Sequence, residues 1–300
     1  MRSDRRVIAV DLGKSRCRVV AADPVRRPAF HGVGAPGLAA TGGVDAALAA
    51  ILPFTAEVAG PYTAVAIGAA GAWAAPDAAS ALAAQLRGAL DAPVAVTSDV
   101  VSAHAGALDG GAGVLLIAGT GAAALGVDGD GIRLVDGWGP EVGDFGSGSW
   151  LGREALRSVL RASAGLGPRT VLTESLGAPV GTIDDVQRWL AQDGPLARRL
   201  ASLAPFVLDA AAEGDPRAVE ISQDAVRLLV ATATAASTRS PDIALHGGLT
   251  DHAWFRARLE DGLRAAGRTP VTAAGDALDG ALLLADRADL PHERFVHRAE

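Results

Sequence analysis

Cysteine is almost absent from this 300-residue sequence. The single cysteine, Cys17, excludes a disulfide framework within the chain. It equally excludes any zinc or iron–sulfur site that takes all its ligands from cysteines of one chain. Secreted modules commonly depend on disulfides. The near absence of cysteine therefore favours a cytoplasmic enzyme over a secreted module.

Runs of basic residues are also missing, and the formal net charge is −7. A nucleic-acid surface needs clustered Lys and Arg side chains, so this balance argues against a nucleic-acid partner. A signal-peptide core is not expected, because the apolar run that begins at Val7 stops at Asp11. Two long uncharged stretches, 58–76 and 110–127, are rich in Ala and Gly. We interpret them as buried strands with glycine turns rather than as membrane spans.

The composition that remains is typical of a folded chain, with 49% hydrophobic and 20% charged residues. At about 100 to 200 residues per domain, the length predicts two domains. The glycine-rich segment 109–113 is the predicted boundary. A β-hairpin is predicted from 6–11 and 16–22, and a similar strand–turn–strand pattern from 114–127. Further strands are predicted at 64–68, 93–97, 132–135 and 243–245. Helices are predicted at 78–90 and in the segments that begin after residues 98, 148, 182, 205, 216 and 275.

Three predicted strands end in a glycine turn, at Gly13, Gly119 and Gly247. Backbone N–H groups hold a phosphate chain where the backbone bends sharply, and glycine permits a close approach. Three such turns suggest one nucleotide contacted from three sides. Taken alone, the Gly119-Thr120-Gly121 turn fits an ordinary hairpin equally well.

The segment Gly13-Lys14-Ser15 looks like the end of a Walker A loop, but the pattern fails twice. Its first glycine would fall at Ile8, and a strand rather than a helix is predicted after Ser15. Lys14 is nevertheless the only lysine in the chain, and its charge suits a phosphate tail. A solvated turn lysine is the alternative interpretation.

Five motifs occur in one order along the chain and carry a resemblance to a known family. They are Asp11-Leu-Gly-Lys-Ser15, Thr97-Ser-Asp99, Leu116-Ile-Ala-Gly-Thr-Gly121, Gly137-Trp-Gly-Pro-Glu-Val-Gly-Asp144-Phe-Gly-Ser147 and Leu245-His-Gly-Gly248. Together they resemble the BadF/BadG/BcrA/BcrD ATPase family, which includes the N-acetylglucosamine kinases. The segments 212–215 and 275–280 are also similar to it. The resemblance implies an α/β, two-domain actin/hexokinase-like (ribonuclease H-like) fold with an interdomain ATP cleft.

The resemblance also implies a division of the chain and an activity. Residues 1–110 would form an N-terminal α/β domain on the sugar and phosphate side, rejoined by 286–300. Residues 111–285 would form the C-terminal α/β domain on the nucleotide side. The implied activity is ATP-dependent phosphorylation of a sugar hydroxyl, with an amino sugar such as N-acetylglucosamine or glucosamine as substrate. The implied protein is a cytoplasmic homodimer that uses ATP and Mg²⁺ and has neither a nucleic-acid nor a membrane partner.

Residue roles follow from the same resemblance. Asp11 would hold Mg²⁺ through water, and Asp99 would be the catalytic base that also binds the sugar hydroxyl. The nucleotide-binding residues would be Gly13, Lys14, Ser15, Gly119, Thr120, Gly121, Gly247 and Gly248. The other sugar-binding residues would be Gly137, Trp138, Gly139 and Asp144.

Simpler interpretations stand beside some of these roles. Asp99 could be a plain helix N-cap, which aspartate favours. A carboxylate at a helix N-terminus is also stabilised as the anion, which would make Asp99 a weaker base. Trp138 could be a core residue and Asp144 a turn residue.

The sequence departs from the family pattern at several positions. Lys14-Ser15 replace the usual Gly-Thr, Ala122 stands where Ser is common, and Phe145 stands where Glu is common. The loop 34–42 lacks the Asn by which better-known N-acetylglucosamine kinases hold their sugar. Two alternative functions therefore stay open: an ATP-driven activator of a radical dehydratase, and a non-catalytic sugar or nucleotide sensor. The activators hold an iron–sulfur cluster with cysteines that this chain does not supply.

Overall fold

The computed structural model describes residues 6–22, 29–58 and 61–300. The chain divides into two compact units, one made of Met1–Ala112 with Thr272–Glu300 and the other of Gly113–Val271. Strands β1–β11 and helices α1–α12 are numbered along the whole chain. None of the helices in the described residues is long and apolar enough to cross a membrane.

The first unit contains a six-stranded sheet in the order β11-β5-β4-β1-β2-β3. Strands β1, β2 and β3 form an antiparallel meander, whereas β1, β4 and β5 are mutually parallel. The last strand, β11, pairs antiparallel with β5. The bounds are β1 Val7–Leu12, β2 Arg16–Ala22, β3 Ala29–Val33, β4 Ala64–Ala69, β5 Val94–Ser98 and β11 His297–Ala299.

Helices cover the sheet of the first unit and explain its apolar sequence. All six residues of β4 are buried, as expected of a parallel strand that is packed on both faces. The helices are α1 Gly43–Glu57, α2 Pro76–Leu90, α3 Asp99–Ala107 and α12 Ala277–Asp286. The sequence analysis did not predict β3 or α1. Strand β3 is an edge strand with little apolar pattern, and α1 contains Pro53, which argues against a helix.

Helix α12 lies in backbone contact with α3. A Cβ atom added to Gly280 would lie 1.8 Å from the carbonyl oxygen of Ser102, and one added to Gly106 would lie 1.9 Å from that of Asp276. This contact explains why residues 272–285 cluster with the first unit. The sequence analysis assigned them to the second domain.

The end of the chain is anchored within the same unit. The Thr97 hydroxyl donates to the Phe295 carbonyl oxygen over 2.8 Å, and the Phe295 ring stacks on Trp73 with centroids 4.3 Å apart. His104 Nδ1 and His292 Nε2 lie 2.9 Å apart, and both side chains are fully buried. Burial lowers the pKa of His292 to about 4, so the His292 ring is neutral at physiological pH.

The second unit repeats the strand arrangement of the first. Its five-stranded sheet has the order β10-β9-β6-β7-β8. Strands β6, β7 and β8 form an antiparallel meander, and β6, β9 and β10 are parallel. Strands β5, β4, β1, β2 and β3 of the first unit have the same order and directions. The prediction that the second half of the chain repeats the opening strand–turn–strand pattern is therefore confirmed. The bounds are β6 Gly113–Ala118, β7 Ala122–Asp128, β8 Gly131–Asp136, β9 Asp242–His246 and β10 Thr269–Val271.

The second unit carries most of the helical residues, as the sequence predicted. Helix α10 packs against β6, β7 and β8, and its buried face includes Ile221, Ala225, Leu229 and Ala233. The helices are α4 Gly148–Ser163, α5 Leu172–Ser175, α6 Gly177–Val180, α7 Val186–Leu190, α8 Leu196–Ala201, α9 Ala204–Ala212, α10 Pro216–Ala236 and α11 Ala253–Ala265. Short 3₁₀ turns at Ile183–Asp185, Gly248–Asp251 and Pro291–Phe295 complete the chain.

Candidate active site

Asp11 lies near the carboxyl end of β1, directly opposite Arg18 of β2. Arg18 donates from Nε and Nη2 to Asp11 Oδ2, at 2.9 and 2.8 Å. Its third contact, from Nη1 to Asp276 Oδ2 at 2.6 Å, reaches the N-cap of α12. The guanidinium therefore fixes the predicted metal-binding carboxylate and joins it to the C-terminal segment. The sequence analysis missed this role of Arg18.

The turn at Gly13-Lys14-Ser15 is exposed at Lys14 and Ser15, whereas its Gly13 backbone packs closely against Gly34. The Gly13 N–H donates to the Arg16 carbonyl oxygen over 2.9 Å, while Lys14 and Ser15 are exposed. A Cβ atom at Gly34 would lie 2.2 Å from the Gly13 carbonyl oxygen. Only glycine therefore allows the loop after β3 to support this turn.

Asp99 is the first residue of α3, at the carboxyl end of β5. The N-cap is the preceding residue, Ser98, whose Oγ accepts from the Val100 N–H at 3.3 Å. The Asp99 Oδ1 atom accepts from the same N–H at 2.9 Å. The plain N-cap interpretation of Asp99 is therefore wrong, although its carboxylate does share the capping hydrogen bond.

The environment of Asp99 makes it a stronger base than a free aspartate. Burial, and next the negative charge of Asp11, raise the pKa of Asp99 to about 6. The Val100 N–H, the Lys14 ammonium group and the Ser98 hydroxyl oppose this shift. The expectation of a weaker base is therefore wrong, because desolvation outweighs the helix N-terminus. A general base is most effective when its pKa lies near the working pH.

In the second unit, the Gly119-Thr120-Gly121 turn joins β6 to β7 and rests on the start of α4. The Gly119 N–H donates to the Gly121 carbonyl oxygen at 3.0 Å. The carbonyl oxygens of Gly119 and Thr120 accept from the N–H groups of Gly148 and Ser149, at 2.8 and 3.1 Å. These bonds hold the turn rigidly and leave the Thr120 side chain exposed.

The bend at Gly247 packs directly on that turn. Gly247 has φ +109°, and a Cβ atom there would lie 2.6 Å from the Ala118 carbonyl oxygen. A cavity of about 270 Å³ opens beside the two bends. Its walls are apolar apart from the turn backbone, Thr120 and His252, which suits a nucleoside. The lining residues are Gly119, Thr120, Gly148, Ala201, Ala204, Pro205, Leu208, Gly248, Leu249 and His252. Two of the three predicted glycine turns therefore meet at one cavity.

Asp136, at the end of β8, organises the predicted sugar-binding loop. Its carboxylate is 3% exposed and accepts from the N–H groups of Gly137, Asp144 and Phe145, each at 2.8 Å. These bonds draw the two ends of the loop together. Gly137 and Gly139 have φ of +78° and +90°, in the left-handed region that favours glycine. The sequence analysis missed Asp136, because no local pattern separates it from a strand-ending aspartate.

Asp144 and Trp138 lie in different surroundings within that loop. Asp144 is buried, has φ +54°, and its Oδ1 accepts from the Ala122 N–H at 3.3 Å. A Cβ atom at Gly121 would lie 2.9 Å from its Oδ2. The Asp144 carboxylate thus lies against the β6–β7 turn. The Trp138 side chain is 65% exposed, so its interpretation as a core residue is wrong.

The sequence profile of the BadF/BadG/BcrA/BcrD ATPase family matches residues 39–285. The chain belongs to this family. The match contains Asp99, the Gly119–Gly121 turn, Asp144 and Gly247, whereas Asp11 and the Gly13–Ser15 turn lie before it. Membership in an ATPase family implies that the protein uses ATP.

Individual relatives give a further comparison. The N-acetyl-D-glucosamine kinase of Dictyostelium discoideum is 35% identical over 121 residues, which cover 39% of this chain and 38% of that one. The glucosamine kinase GspK of Vibrio cholerae is 26% identical over 205 residues, 66% of each chain. The matched regions thus span less than two thirds of these curated relatives.

A solved structure matches almost the whole chain. It is that of a candidate N-acetylglucosamine kinase from Chromobacterium violaceum, with 27% identity and a TM-score of 0.80. The match covers 94% of this chain and 99% of the other. The predicted actin/hexokinase-like α/β fold is therefore confirmed.

Proposed function

We propose that this protein transfers the γ-phosphoryl group of ATP to a hydroxyl group of an amino sugar such as N-acetylglucosamine or glucosamine. Membership in the ATPase family supports ATP as the phosphate donor. The activities named for the Dictyostelium and Vibrio relatives support an amino sugar as the acceptor.

The observation that carries the proposal is the environment of Asp99. This carboxylate is partly buried at the carboxyl ends of the parallel strands β4 and β5. Its pKa of about 6 leaves it largely ionised at neutral pH and still basic enough to accept a proton. In open α/β sheets, this edge is where ligands bind.

Asp99 would act by orienting the sugar hydroxyl and accepting its proton. The transition state of phosphoryl transfer is loose, so the nucleophile mainly needs to be held in line with the γ-phosphorus. As the hydroxyl oxygen bonds to the γ-phosphorus, the bond from that phosphorus to the β,γ-bridging oxygen breaks and ADP leaves, while the hydroxyl proton passes to the Asp99 carboxylate. Lys14, exposed in the turn after β1, would attract the phosphate tail by its charge.

The residues around Asp11 fit an Mg²⁺ ion held through water. Arg18 occupies Asp11 Oδ2 with two hydrogen bonds and carries a compensating positive charge. A direct bidentate contact from this carboxylate is therefore disfavoured, whereas a contact from Oδ1 to a metal-bound water fits the chemistry of Mg²⁺. When bound, Mg²⁺ would neutralise charge on the phosphates.

In the second unit, the apolar cavity beside Gly248 would accept the adenosine. The rigid Gly119-Thr120-Gly121 turn would contact the phosphates. Trp138 would offer its exposed face to the C–H side of the sugar ring. The Asp144 carboxylate accepts a hydrogen bond from the β6–β7 turn. We therefore assign it mainly to holding that turn in shape, and secondarily to binding a sugar hydroxyl.

The dehydratase-activator alternative gains no support from Cys17. This thiol is fully buried in β2, and burial raises its pKa to about 11. A cluster ligand must be a thiolate, so such a buried neutral thiol is a poor candidate.

A sugar panel tests the proposal. The protein is incubated with Mg-ATP and N-acetylglucosamine, glucosamine or glucose, and ADP release is followed together with the mass of the sugar product. We expect ADP release that depends on an amino sugar, and a product heavier by one phosphate group. Rapid ATP hydrolysis without sugar, or binding of sugar by calorimetry without any product, would overturn the kinase proposal. The latter result would favour the sensor.

A further inference from the structure

The short turn Pro291–Phe295, which precedes β11, contacts the carboxyl ends of both β4 and β5. The Phe295 ring stacks on Trp73, in the segment that follows β4, with centroids 4.3 Å apart. The Phe295 carbonyl oxygen accepts the Thr97 hydroxyl of β5 over 2.8 Å. One residue near the end of the chain therefore joins the two parallel strands at the edge of the sheet where ligands bind. We call the turn Pro291–Phe295 the C-terminal clasp.

The C-terminal clasp also contacts α3. His292 Nε2 lies 2.9 Å from His104 Nδ1, and both side chains are fully buried. Beyond the clasp, β11 pairs with β5, with His297 opposite Val96. The clasp is thus attached to the strand that ends just before Asp99 and to the helix that begins with it.

The Thr97 contact lies close to Asp99 along the chain, because only Ser98 separates the two residues. The Thr97 side chain is 3% exposed, so its hydrogen bond to the clasp is shielded from water and costly to break. Thr97 is also opposite Gly68 of β4, where a Cβ atom would lie 3.3 Å from Asp99 Cα. Because β4 packs this closely, a shift of β5 at Thr97 is passed on to Asp99.

We infer that Thr97 is a positioning residue, which the C-terminal clasp holds so that the Asp99 carboxylate stays where it accepts the proton of the sugar hydroxyl. The inference rests on the proposed kinase function and adds a residue that acts through Asp99 without touching the substrate. A displacement of about 1 Å in a reacting group can cost about 100-fold in rate. Loss of the contact should therefore lower kcat and leave ATP affinity unchanged, since the proposed adenosine cavity is formed by the second unit.

The test compares Thr97→Val with Thr97→Ser and Thr63→Val in the full chain. Valine removes the hydroxyl group at nearly constant volume, and serine keeps it. Thr63 is the matched control, because its hydroxyl donates to the Arg6 carbonyl oxygen over 3.0 Å at the amino end of β4, the edge opposite Asp99. We expect Thr97→Val to lower kcat for sugar-dependent ADP release about 10- to 100-fold, with unchanged ATP affinity by calorimetry. Thr97→Ser and Thr63→Val should keep the wild-type kcat.

Phe295→Leu tests the C-terminal clasp by a change outside β5. It keeps the carbonyl oxygen that accepts from Thr97 but removes the stack on Trp73. We expect kcat to fall in this variant as well, again with unchanged ATP affinity. Wild-type kcat in Phe295→Leu, or in a folded Thr97→Val, overturns the inference. An equal fall in Thr63→Val also overturns it, because general destabilisation would then explain the loss.

A measurement without turnover separates this inference from the kinase proposal. The titration of the Asp99 carboxyl carbon is followed by NMR in ¹³C-labelled protein, and its signal is identified by its absence from Asp99→Asn. Burial raises the pKa of Asp99 to about 6, and the charged groups that face it are Asp11 and Lys14, which all the substitutions leave in place.

A displaced and better hydrated carboxylate should titrate at lower pH. We therefore expect a lower midpoint in Thr97→Val and Phe295→Leu, and a midpoint near pH 6 in the wild type and both controls. An unchanged midpoint in Thr97→Val overturns the inference and leaves the kinase proposal standing. A lowered midpoint in a protein that shows no sugar-dependent ADP release overturns the kinase proposal and supports the positioning of Asp99 by Thr97.

Discussion

Gly280 of α12 and Ser102 of α3 are in backbone contact, because a Cβ atom at Gly280 would lie 1.8 Å from the Ser102 carbonyl oxygen. Ser102 is one helical turn beyond Asp99, and its hydroxyl donates to the Asp99 carbonyl oxygen over 3.0 Å. On its other side, a Cβ atom at Gly68 would lie 2.0 Å from Ser102 Oγ. The position of the proposed base is therefore determined by how closely α12 and β4 approach α3.

Substitution of Gly280 by Ala should destabilise the first unit. The added methyl group meets backbone atoms of α3, which cannot move as a flexible side chain can, and overpacking of this kind typically costs about 1–3 kcal/mol. We expect a lower melting temperature and reduced kcat, measured by differential scanning calorimetry and a coupled ADP assay. Gly88→Ala is the matched control, since a Cβ atom at Gly88 of α2 meets nothing within 4 Å. It should raise stability by about 0.5–1 kcal/mol. Equal melting temperatures for the two variants would contradict the close contact.

Asp99→Asn should remove the proposed base while preserving the shape of the side chain. We expect kcat to fall by about 10² to 10⁴, with ATP affinity by calorimetry nearly unchanged. Full turnover in this variant would remove Asp99 from the mechanism.

The melting temperature of Asp99→Asn provides a check on folding. The pKa of Asp99 is raised from 3.8 to about 6 in the folded protein, so the folded state binds this proton more tightly than the unfolded state does. The wild type therefore loses stability as pH rises between about 4 and 6. The neutral Asn variant should accordingly melt at or above the wild-type temperature at pH 8, but lose this advantage at pH 4. A variant that melts well below the wild type at both pH values would point to a packing defect.

The pH dependence of the wild-type rate should report the same carboxyl group. Because Asp99 must be ionised to accept a proton, kcat/KM should be constant above about pH 7 and fall about tenfold per pH unit below pH 6. The measurement is kcat/KM for the sugar between pH 5 and 8 at saturating ATP. A value of kcat/KM that stays constant down to pH 5 would contradict the raised pKa.

Arg18→Gln should raise the Mg²⁺ concentration that activity requires, because the Asp11 carboxylate is then no longer held in position. Residues that orient a metal ligand typically affect metal affinity or activity by about 10- to 100-fold. We expect a rise of that order in the Mg²⁺ concentration for half-maximal activity. Arg16→Gln is the control, since Arg16 is an exposed cation at the start of the same strand. An equal response of both variants would show that only general charge is involved.

The elements around the site could largely be predicted, because their sequences carry strong local patterns. Strand β2 has the predicted bounds, and α2, β5 and β6 are within two residues of theirs. The glycine turns at Gly119 and Gly247 could be recognised because sharp bends require that residue type. Fold and family followed from the order of the motifs, which a single motif would not have supported.

Contacts between distant parts of the chain could not be predicted. Arg18 and Asp276 are 258 residues apart, and neither lies in a pattern that indicates the other. The Gly106 and Gly280 contact likewise depends on the meeting of two helices, α3 and α12, that are far apart in the sequence. The sequence analysis therefore assigned residues 272–285 to the other domain. The pKa of Asp99 depends on burial, which the dipeptide Ser98-Asp99 does not reveal.

The discontinuous first unit has a consequence for synthesis on the ribosome. The second unit is one uninterrupted segment, Gly113–Val271, and can fold as soon as it has emerged. The earlier segment must wait, with the edge of β5 and one side of α3 uncovered, until α12 and β11 have been translated. A nascent chain that terminates before Thr272 would thus leave an apolar sheet unfinished, although it already contains every residue proposed to bind ATP or sugar.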